Sequence, residues 1–265
     1  MTGSRSLPPE VSIITVYYNS PEDILALHRS MQEHLPAQEF EWIVADNSSQ
    51  ENLADRLTGS VYLRLPENYG FAKANNLAVE RATAPHLLFV NPDCLFVENC
   101  LPPLVAALQR AGVSGPRVIN EDGSIQLSFG PFLSIQNEIF QQRRMKSEKS
   151  QTIQKWLQNK EESFVDYVSG CALMMQAEVY RNAGGFDESF FLYEEDVDLC
   201  KRVHEAGLRT IYVPSALILH KRNRTVRTEP ERSKKEYRKS QIYYYRKHHG
   251  WLQNVLLKLY LSFEA

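Results

Sequence analysis

Short apolar runs that alternate with helical segments constrain the fold more than any other feature of the first 93 residues. Four runs have the length and β-branched character of buried strands. They are Val11–Tyr17, Glu39–Ala45, Val61–Leu65 and His86–Val90. Helical patterns follow the first and third runs, one beginning at Pro21 after Ser20 and one over Phe71 to about Ala82. This alternation predicts an α/β fold with an open, mostly parallel sheet flanked by helices.

Each of the four predicted strands ends in a cluster of polar residues. Asn19 follows the first strand, Asp46 the second, Asn68 the third, and Asn91 with Asp93 the fourth. In an open parallel sheet, ligands bind beyond the carboxyl ends of the strands. One such cluster is typical of an ordinary turn, but four clusters at the same edge of a sheet favour a ligand-binding site. The chain has neither a GxGxxG nor a GxxxxGK[ST] motif, which disfavours a dinucleotide-binding or P-loop enzyme.

The second half of the chain predicts further strands with less regular spacing. A hairpin turn at Glu121–Ser124 would join strands over Val113–Ile119 and Ser124–Phe129. Later strands are predicted over Phe164–Met175, Thr210–Val213 and Ala216–Leu219. Between them, Ser134–Glu162 is polar and rich in Gln and Lys, which is typical of either a mobile cover or a solvated insertion.

A dense acidic cluster marks the start of a predicted short helix. Glu194, Glu195, Asp196 and Asp198 lie within five positions, and apolar residues recur at helical spacing after them, up to Gly207. One interpretation is that they are first-turn acids, which the helix dipole favours. The other is that one of them is a general base, because the preceding aromatic run supplies apolar walls that raise a carboxylate pKa.

Two more side chains stand at the tips of predicted strands. Asp93 follows the fourth strand, and His220 follows the last one. Taken alone, an aspartate at such a position is more often a turn residue, and a histidine is more often a structural residue with its hydrogen bonds made within the protein. Together with the oxygens of a nucleotide diphosphate they would form a site for a divalent metal, Mg²⁺ or Mn²⁺.

Composition and patterning exclude several classes of protein. The formal net charge is −2, which gives no general nucleic-acid signal. Cys94, Cys100, Cys171 and Cys200 form no CxxC pair, so we expect free thiols in a reducing compartment. Met1–Glu10 is polar, and no apolar run approaches the roughly 18 residues of a membrane span. We therefore expect no signal peptide, and a cytoplasmic chain or one attached to a membrane from that side.

The C-terminal segment has its own charge pattern, and we divide the chain into residues 1–220 and 221–265. Lys221–Lys247 holds eleven Lys and Arg against three Glu. Glu231–His249 predicts a basic helix, and Trp251–Phe263 predicts a second, apolar one. The second helix would either lie in the interface of an anionic membrane or pack on the preceding domain or in a dimer. No nucleic-acid-binding motif accompanies the segment, and the oligomeric state stays open.

Several of these motifs occur together in one known family. They are Tyr17–Asn19, Asp46–Ser48, Asn68–Ala72, Asn75–Asn76, Asn91–Asp93, Val168–Gly170, Gly184–Glu188, Phe190–Leu199 and His220. In this order, from about Val11 to His249, the chain closely resembles glycosyltransferase family 2, and within it the bacterial rhamnosyltransferase-type members. The resemblance implies a GT-A fold with a donor half over residues 1–93 and an acceptor half over 94–220. It also implies a nucleotide-sugar donor and inversion at the anomeric carbon.

The resemblance implies roles for particular residues as well. Those implied to bind the donor are Thr15, Tyr17, Asn19, Asp46, Asn68, Gly70, Phe71, Lys73, Asn76 and Asn91. Among them, Asp46 would accept a hydrogen bond from the pyrimidine N3–H. Asp93 would bind the metal that bridges the diphosphate, and His220 would complete its shell. Asp196 would be the general base, Glu195 would orient the acceptor, and Gly170 would lie where sugar and backbone approach closely.

The implied substrates are a sugar nucleotide and a glycan or lipid-linked acceptor of a bacterial surface polysaccharide. The donor implied first is dTDP-rhamnose, with a UDP-sugar as the alternative. Asn91 stands where many family members carry the first acid of an Asp-x-Asp motif, so we expect weaker metal binding.

Two other hypotheses compete with an inverting glycosyltransferase. A nucleotidyltransferase would need a glycine-rich signature near the first strand, which this chain lacks. A non-catalytic nucleotide-sugar-binding or scaffold domain of an envelope assembly complex would have no need of Asp93, Asp196 and His220 together.

Overall fold

The computed structural model describes residues 8–137, 158, 160–221 and 230–263. Its strands are β1 (Val11–Tyr17), β2 (Phe40–Asp46), β3 (Ser60–Arg64), β4 (His86–Val90), β5 (Cys94–Phe96), β6 (Val113–Ile119), β7 (Ile125–Gln126), β8 (Phe129–Gly130), β9 (Ser163–Val165), β10 (Tyr167–Val168), β11 (Ala172–Gln176) and β12 (Thr210–His220). Its helices are α1 (Pro21–His34), α2 (Gly70–Val79), α3 (Leu101–Ala107), α4 (Ala177–Asn182), α5 (Glu195–Glu205), α6 (Pro230–His248) and α7 (Trp251–Phe263).

One large sheet runs through the molecule in the strand order β3-β2-β1-β4-β11-β6-β12-β5. Strands β3, β2, β1 and β4 are parallel, as the sequence predicts. Their register places Tyr17 opposite Asp46, and Asp46 opposite Arg64. The carboxyl ends of these strands therefore meet at one edge, where the predicted polar clusters lie.

The other half of the sheet mixes parallel and antiparallel pairs, whereas the first four strands are all parallel. Strand β11 runs antiparallel to both β4 and β6, and Ala172 at its start pairs with Val90 at the end of β4. Strand β12 is parallel to β6 and antiparallel to β5, with His220 opposite Cys94. These pairings bring the start of β11 and the end of β12 to the edge where β4 ends.

Two predicted segments are divided differently in the structure. The single strand predicted over 164–175 forms β9, β10 and β11. The break between β10 and β11 is a turn at 169–171, where the Ala172 N–H donates to the Ser169 carbonyl (3.2 Å). The two strands predicted over 210–213 and 216–219 form the single β12, with a register shift between Val213 and Leu217. Of the predicted polar insertion 134–162, residues 138–157 and 159 lie outside the described ones.

Helices cover both faces of the sheet. One apolar cluster joins α1 and α3 to residues such as Ile13 of β1, and another joins α2, α4 and α5 to residues such as Ile14. Burial of β1 along its whole length explains why its sequence is mostly apolar and does not alternate between apolar and polar residues.

The predicted basic helix is present as α6, and it packs against the segment that precedes α5. Tyr244 and Tyr245 are fully buried in a cluster with Phe190. Ser240 Oγ donates a hydrogen bond to the Leu192 carbonyl (2.7 Å). The position of the segment before α5 is therefore set by contacts from the C-terminal part of the chain.

A buried ion-pair cluster around Asp198 connects α5 with α6. Its carboxylate is fully buried and lies 2.8 Å from Arg202 Nε, 2.7 Å from Lys247 Nζ and 2.7 Å from His248 Nε2. Lys247 also pairs with Asp187 (2.7 Å). Burial opposes ionisation, but the three partners lower the pKa of Asp198 below its usual value. The cluster therefore holds the start of α5 against the last turn of α6.

Helix α7 combines one docked side with one exposed apolar side. Leu257 is buried in the same cluster as Phe190, whereas Trp251 is 76% exposed, Leu252 56% and Leu259 53%. Among the described helices, none has the length and apolar character that a membrane crossing requires.

We predict that Asp198→Asn lowers the free energy of unfolding by about 3 kcal/mol, because the cations of the cluster lose their shared buried carboxylate. Urea unfolding at neutral pH measures the change. Glu205→Gln is the matched control, since Glu205 lies on the same helix but pairs with Lys201 near the surface (3.2 Å). For this control we expect a change below about 0.5 kcal/mol. Equal effects of the two substitutions would contradict a stabilising role for the cluster.

Candidate active site

The ends of β1, β2 and β3 meet around Asp46, the last residue of β2. Its carboxylate is fully buried and accepts hydrogen bonds from the Ser49 N–H, the Tyr62 hydroxyl and Arg64 Nη1, each at 2.7 Å. Burial and the neighbouring carboxylate raise the pKa of Tyr62, so its hydroxyl stays a neutral donor. A carboxylate has about four acceptor directions, and the three donors occupy three of them.

The three residues of β1 and its following turn that were predicted to flank base and ribose are held by local hydrogen bonds. Thr15 is fully buried, and its Oγ1 accepts from Trp42 Nε1 (3.1 Å). Tyr17 is also fully buried, and its hydroxyl donates to the Glu51 carbonyl (3.1 Å). Asn19 is exposed, has φ +50°, and accepts a backbone N–H from the loop after β2 (2.8 Å). Of the three, only Asn19 is exposed to solvent.

The start of α2 connects the Asp46 region with the segment before α5. Asn68 Oδ1 accepts a hydrogen bond from Asn47 Nδ2 (2.9 Å). Gly70 has φ +82°, and a Cβ there would lie 2.4 Å from the Phe191 carbonyl oxygen, so a side chain cannot be accommodated. The Phe71 N–H donates to the same carbonyl (2.8 Å). The start of α2 is thereby held against the segment that precedes α5.

Two further predicted donor residues lie on α2. Lys73 Nζ stands 4.3 Å from the centroid of the Tyr69 ring. Asn76 Oδ1 accepts from the Tyr180 hydroxyl (2.5 Å) and the Phe186 N–H (3.0 Å), and Nδ2 donates to the Phe186 carbonyl (2.9 Å). Both ends of the Asn76 amide are thus bonded to the segment that contains Gly184–Glu188.

Asp196, the predicted general base, lies in the first turn of α5 and contacts the turn that precedes β11. Its Oδ2 accepts from the Gly170 N–H (2.6 Å), and its Oδ1 accepts from the Val197 N–H (2.8 Å). A Cβ at residue 170 would lie 3.3 Å from the Asp196 Cβ, so glycine permits this close approach. Burial raises the pKa of Asp196 more than the two N–H donors lower it. A carboxylate with a raised pKa is a better base near neutral pH.

The backbone just before Asp196 is strained. Tyr193 (φ +71°) and Glu194 (φ +67°) both adopt the left-handed conformation, at a cost of order 1 to 3 kcal/mol each. The Tyr193 hydroxyl lies 2.5 Å from Ser233 Oγ of α6, which helps to hold this conformation. Glu195 is buried, burial raises its pKa well above the usual value, and its Oε2 has no hydrogen-bond partner among the described residues.

Asp93 and His220, the predicted metal ligands, are in contact at the ends of β4 and β12. His220 Nε2 lies 3.3 Å from Asp93 Oδ1, and His220 Nδ1 lies 3.2 Å from Gln126 Oε1. Because Gln126 Oε1 only accepts, Nδ1 carries a proton and Nε2 is directed at Asp93. Burial disfavours the imidazolium, but bonds with Asp93 and Cys171 raise the pKa of His220 to about 10. An imidazole oriented through its other nitrogen, beside a carboxylate, fits a divalent metal that replaces the Nε2 proton.

The turn 169–171 joins the general base candidate to this pair. Gly170 donates to Asp196, and the carbonyl of the next residue, Cys171, accepts from the Asn91 N–H (3.0 Å) and from the Cys94 thiol (3.2 Å). The structure therefore brings Asp196 and the Asp93–His220 pair to the two sides of one short turn.

Some residues of this region were missed by the sequence analysis. Arg64 was detectable, because parallel strands that end together place the last residue of β3 beside Asp46. Gln126 carries no such signal, since it lies 94 residues before His220 on a two-residue strand.

Comparison with known sequences supports the resemblance. The family model for glycosyl transferase family 2 matches residues 12–177. The N-acetylglucosaminyl-diphospho-decaprenol L-rhamnosyltransferase of Mycobacterium tuberculosis is 29% identical over 184 residues, which cover 62% of this chain. The aligned part spans 56% of the length of that relative.

Solved glycosyltransferases share the fold, and the predicted GT-A architecture is confirmed. The structure of GalNAc-T7 with UDP, GalNAc and Mn²⁺ aligns with a TM-score of 0.61 at 18% identity, over 82% of this chain and 44% of that one. The mannosyltransferase PcManGT from Pyrobaculum calidifontis, in complex with GDP-Man and Mn²⁺, aligns with a TM-score of 0.57 at 14% identity, over 97% and 81%. With its family match over residues 12–177, this chain belongs to glycosyl transferase family 2.

Proposed function

We propose that the chain is an inverting glycosyltransferase that moves a sugar from a nucleotide diphosphate to a hydroxyl group. The observation that carries the proposal is the turn 169–171, with the carboxylate of Asp196 on one side and the Asp93–His220 pair on the other. Inverting transfer needs a base opposite the leaving group and a cation beside it. A non-catalytic scaffold would gain nothing from a strained backbone next to a buried acid.

The proposed step uses Asp196 as general base. It takes the proton from the acceptor hydroxyl as that oxygen forms a bond to the anomeric carbon. The bond between the anomeric carbon and the diphosphate oxygen breaks, and the diphosphate leaves with the electron pair. Because the Gly170 N–H engages one oxygen of Asp196, the carboxylate is oriented before the acceptor binds. Attack opposite the leaving group inverts the anomeric configuration.

We assign Glu195 to the acceptor side. Its Oε2 is buried and lacks a protein partner within the described part of the chain, so it is free to bond a sugar hydroxyl. An unpaired buried oxygen costs free energy, which a bound acceptor would recover.

Asp93 and His220 would hold a divalent metal, Mg²⁺ or Mn²⁺, with Gln126 orienting the imidazole. When bound, such a cation neutralises the charge that develops on the leaving diphosphate. Asn91 supplies no second carboxylate, so we expect weak metal binding until the donor phosphates add their oxygens.

We propose a pyrimidine diphosphate sugar as donor, with dTDP-rhamnose before a UDP-sugar. Asp46 has one acceptor direction left for the N3–H of a pyrimidine base. Lys73, which now lies over the Tyr69 ring, has the length to reach a phosphate. The rhamnose preference is supported by the activity named for the mycobacterial relative.

We propose further that α7 lies on an anionic membrane surface and presents the active site to a lipid-linked acceptor. Its exposed apolar row begins with Trp251 and Leu252, directly after the basic helix α6. Apolar burial and attraction of basic residues together favour such a surface. The name of the mycobacterial relative likewise contains a polyprenyl-linked sugar.

Asp196→Asn should lower kcat about 10²- to 10⁴-fold, because the base is lost, while donor affinity stays at the wild-type level. Sugar transfer from dTDP-rhamnose and donor binding by calorimetry measure the two quantities separately. Glu205→Gln, on the last turn of the same helix, should keep the wild-type kcat. Retained turnover in Asp196→Asn would contradict the assignment of Asp196 as the general base.

Asp93→Asn should weaken donor binding only when Mn²⁺ is present. In a thermal-shift assay, donor at about 100 times Kd stabilises the wild type by roughly 2.7 kcal/mol, and the Mn²⁺-dependent part should disappear in the variant. Asp122→Asn, in the exposed hairpin turn, is the control and should respond to Mn²⁺ as the wild type does. An unchanged Mn²⁺ response in Asp93→Asn would exclude Asp93 from the metal site.

Combined Trp251→Ser, Leu252→Ser and Leu259→Ser substitutions should reduce binding to anionic phospholipid vesicles at least about tenfold, because apolar area is lost from the exposed side of α7. Flotation with vesicles measures the bound fraction. Val61→Ser with Leu208→Ser removes apolar residues exposed elsewhere and should leave vesicle binding unchanged. Equal binding by both variants would refute the interfacial role of α7.

A further inference from the structure

The segment that leads into α5 is held from two sides. On one side, the first turn of α2 donates a backbone N–H to the Phe191 carbonyl (2.8 Å). On the other side, α6 contacts the next two residues. Ser240 Oγ donates to the Leu192 carbonyl (2.7 Å), and Ser233 Oγ lies 2.5 Å from the Tyr193 hydroxyl. The entry to α5 is therefore bonded to side chains that lie 40 and 48 positions later in the chain.

Two buried serines on one face of α6 supply these contacts. Ser233 and Ser240 are two helical turns apart, so their side chains lie on the same side of the helix. Both are buried, whereas serine is mostly exposed in folded proteins. Between them, the Tyr237 ring makes an edge contact with the Tyr193 ring (5.9 Å between centroids). A buried hydroxyl gains little from apolar burial, so the hydrogen bonds to the segment before α5 account for these two serines.

The backbone that these serines contact is strained, and it leads directly to the proposed base. Tyr193 and Glu194 are both in the left-handed region, a conformation that persists only where surrounding contacts impose it. Glu195 and Asp196 follow immediately as the first two residues of α5. Relaxation of the left-handed pair would therefore move both carboxylates relative to the turn 169–171.

We propose that Ser240 and Ser233 are positioning residues for the proposed base and acceptor site, and that α6 is thus part of the catalytic unit. They act through the backbone of 192–194 rather than by touching a substrate. A displacement of about 1 Å at a catalytic group can lower the rate about 10²-fold. Donor binding is less affected, because α2 bonds the Phe191 carbonyl independently of α6. The catalytic part of this inference rests on the proposed function.

Ser240→Ala should lower kcat at least about tenfold, while the Kd for dTDP-rhamnose changes by less than about twofold. Transfer from dTDP-rhamnose to a polyprenyl-diphosphate-linked sugar measures kcat, and calorimetry measures donor binding. Ser114→Ala is the matched control, because the Ser114 hydroxyl is also buried and donates to a backbone carbonyl (3.0 Å), but near the start of β6, away from the edge where β12 ends. Its Tm should fall as in Ser240→Ala, with kcat unchanged. Wild-type kcat in Ser240→Ala, or an equal loss of kcat in the control, overturns the inference.

A double-mutant cycle tests the contact made by Ser233. Tyr193→Phe and Ser233→Ala remove the same hydrogen bond from its two ends. Each substitution should lower kcat at least about threefold, and the double variant should be no slower than the slower single variant, because the bond can be lost only once. Full multiplication of the two effects on kcat would contradict the role of this bond.

Hydrogen exchange separates this inference from the proposed function, because it does not depend on sugar transfer. In Ser240→Ala, the backbone amides of 190–199 should exchange at least about tenfold faster than in the wild type, whereas Ser114→Ala should leave their exchange unchanged. Faster exchange without sugar transfer by the wild type would refute the proposed function and leave the hold of α6 on this segment standing. Unchanged exchange in Ser240→Ala, with transfer by the wild type intact, would overturn the inference and leave the proposed function standing.

Discussion

A single buried carboxylate, that of Asp198, holds together parts of the chain that are far apart in sequence. It follows Asp196 by two residues and binds cations from its own helix and from α6. Such a cluster is stable only when its charges are matched, because an unpaired charge left in the interior costs several kcal/mol. The left-handed backbone at Tyr193 and Glu194 persists beside it because α6 contacts this segment from outside. The geometry of the acidic helix start thus depends on residues about 50 positions later.

The turn 169–171 gives the candidate active site its compactness. Gly170 has no side chain, so its N–H reaches the Asp196 carboxylate, and the Cys171 carbonyl accepts from the strand end that precedes Asp93. Antiparallel pairing of β11 with β4 is what places this turn beside the Asp93–His220 pair. Burial at the start of α5 raises the pKa of Asp196 and of Glu195, whereas Asp93 counteracts the effect of burial on the pKa of His220. Neighbouring groups therefore differ in protonation behaviour, as the roles proposed for them as base and metal ligand would require.

Much of this was predictable from local patterns. Local sequence patterns predicted the four parallel strands, the polar residues at their ends and the acidic first turn of α5, because each depends on only a few consecutive residues. The divided strand over 164–175 and the joined strand β12 were not, because apolar character alone does not distinguish a turn from a continued strand. The position of Arg64 beside Asp46 follows from strand register. The position of Gln126 beside His220 depends on a long-range contact that no local sequence pattern predicts.

The sequence by itself determined the α/β class, the edge at which polar side chains gather, and the identity of the residues that resemble those of the glycosyltransferase family. Periodicity encodes how each segment is buried, and this is sufficient to define strands, helices and their ends. Only the tertiary structure decided that the Asp196 carboxylate is held by Gly170, that Asp198 is paired with cations of α6, and that the Cys94 thiol lies beside the Asp93–His220 pair. Those contacts join segments distant in sequence, and their partners are selected by chain topology and packing rather than by any local preference.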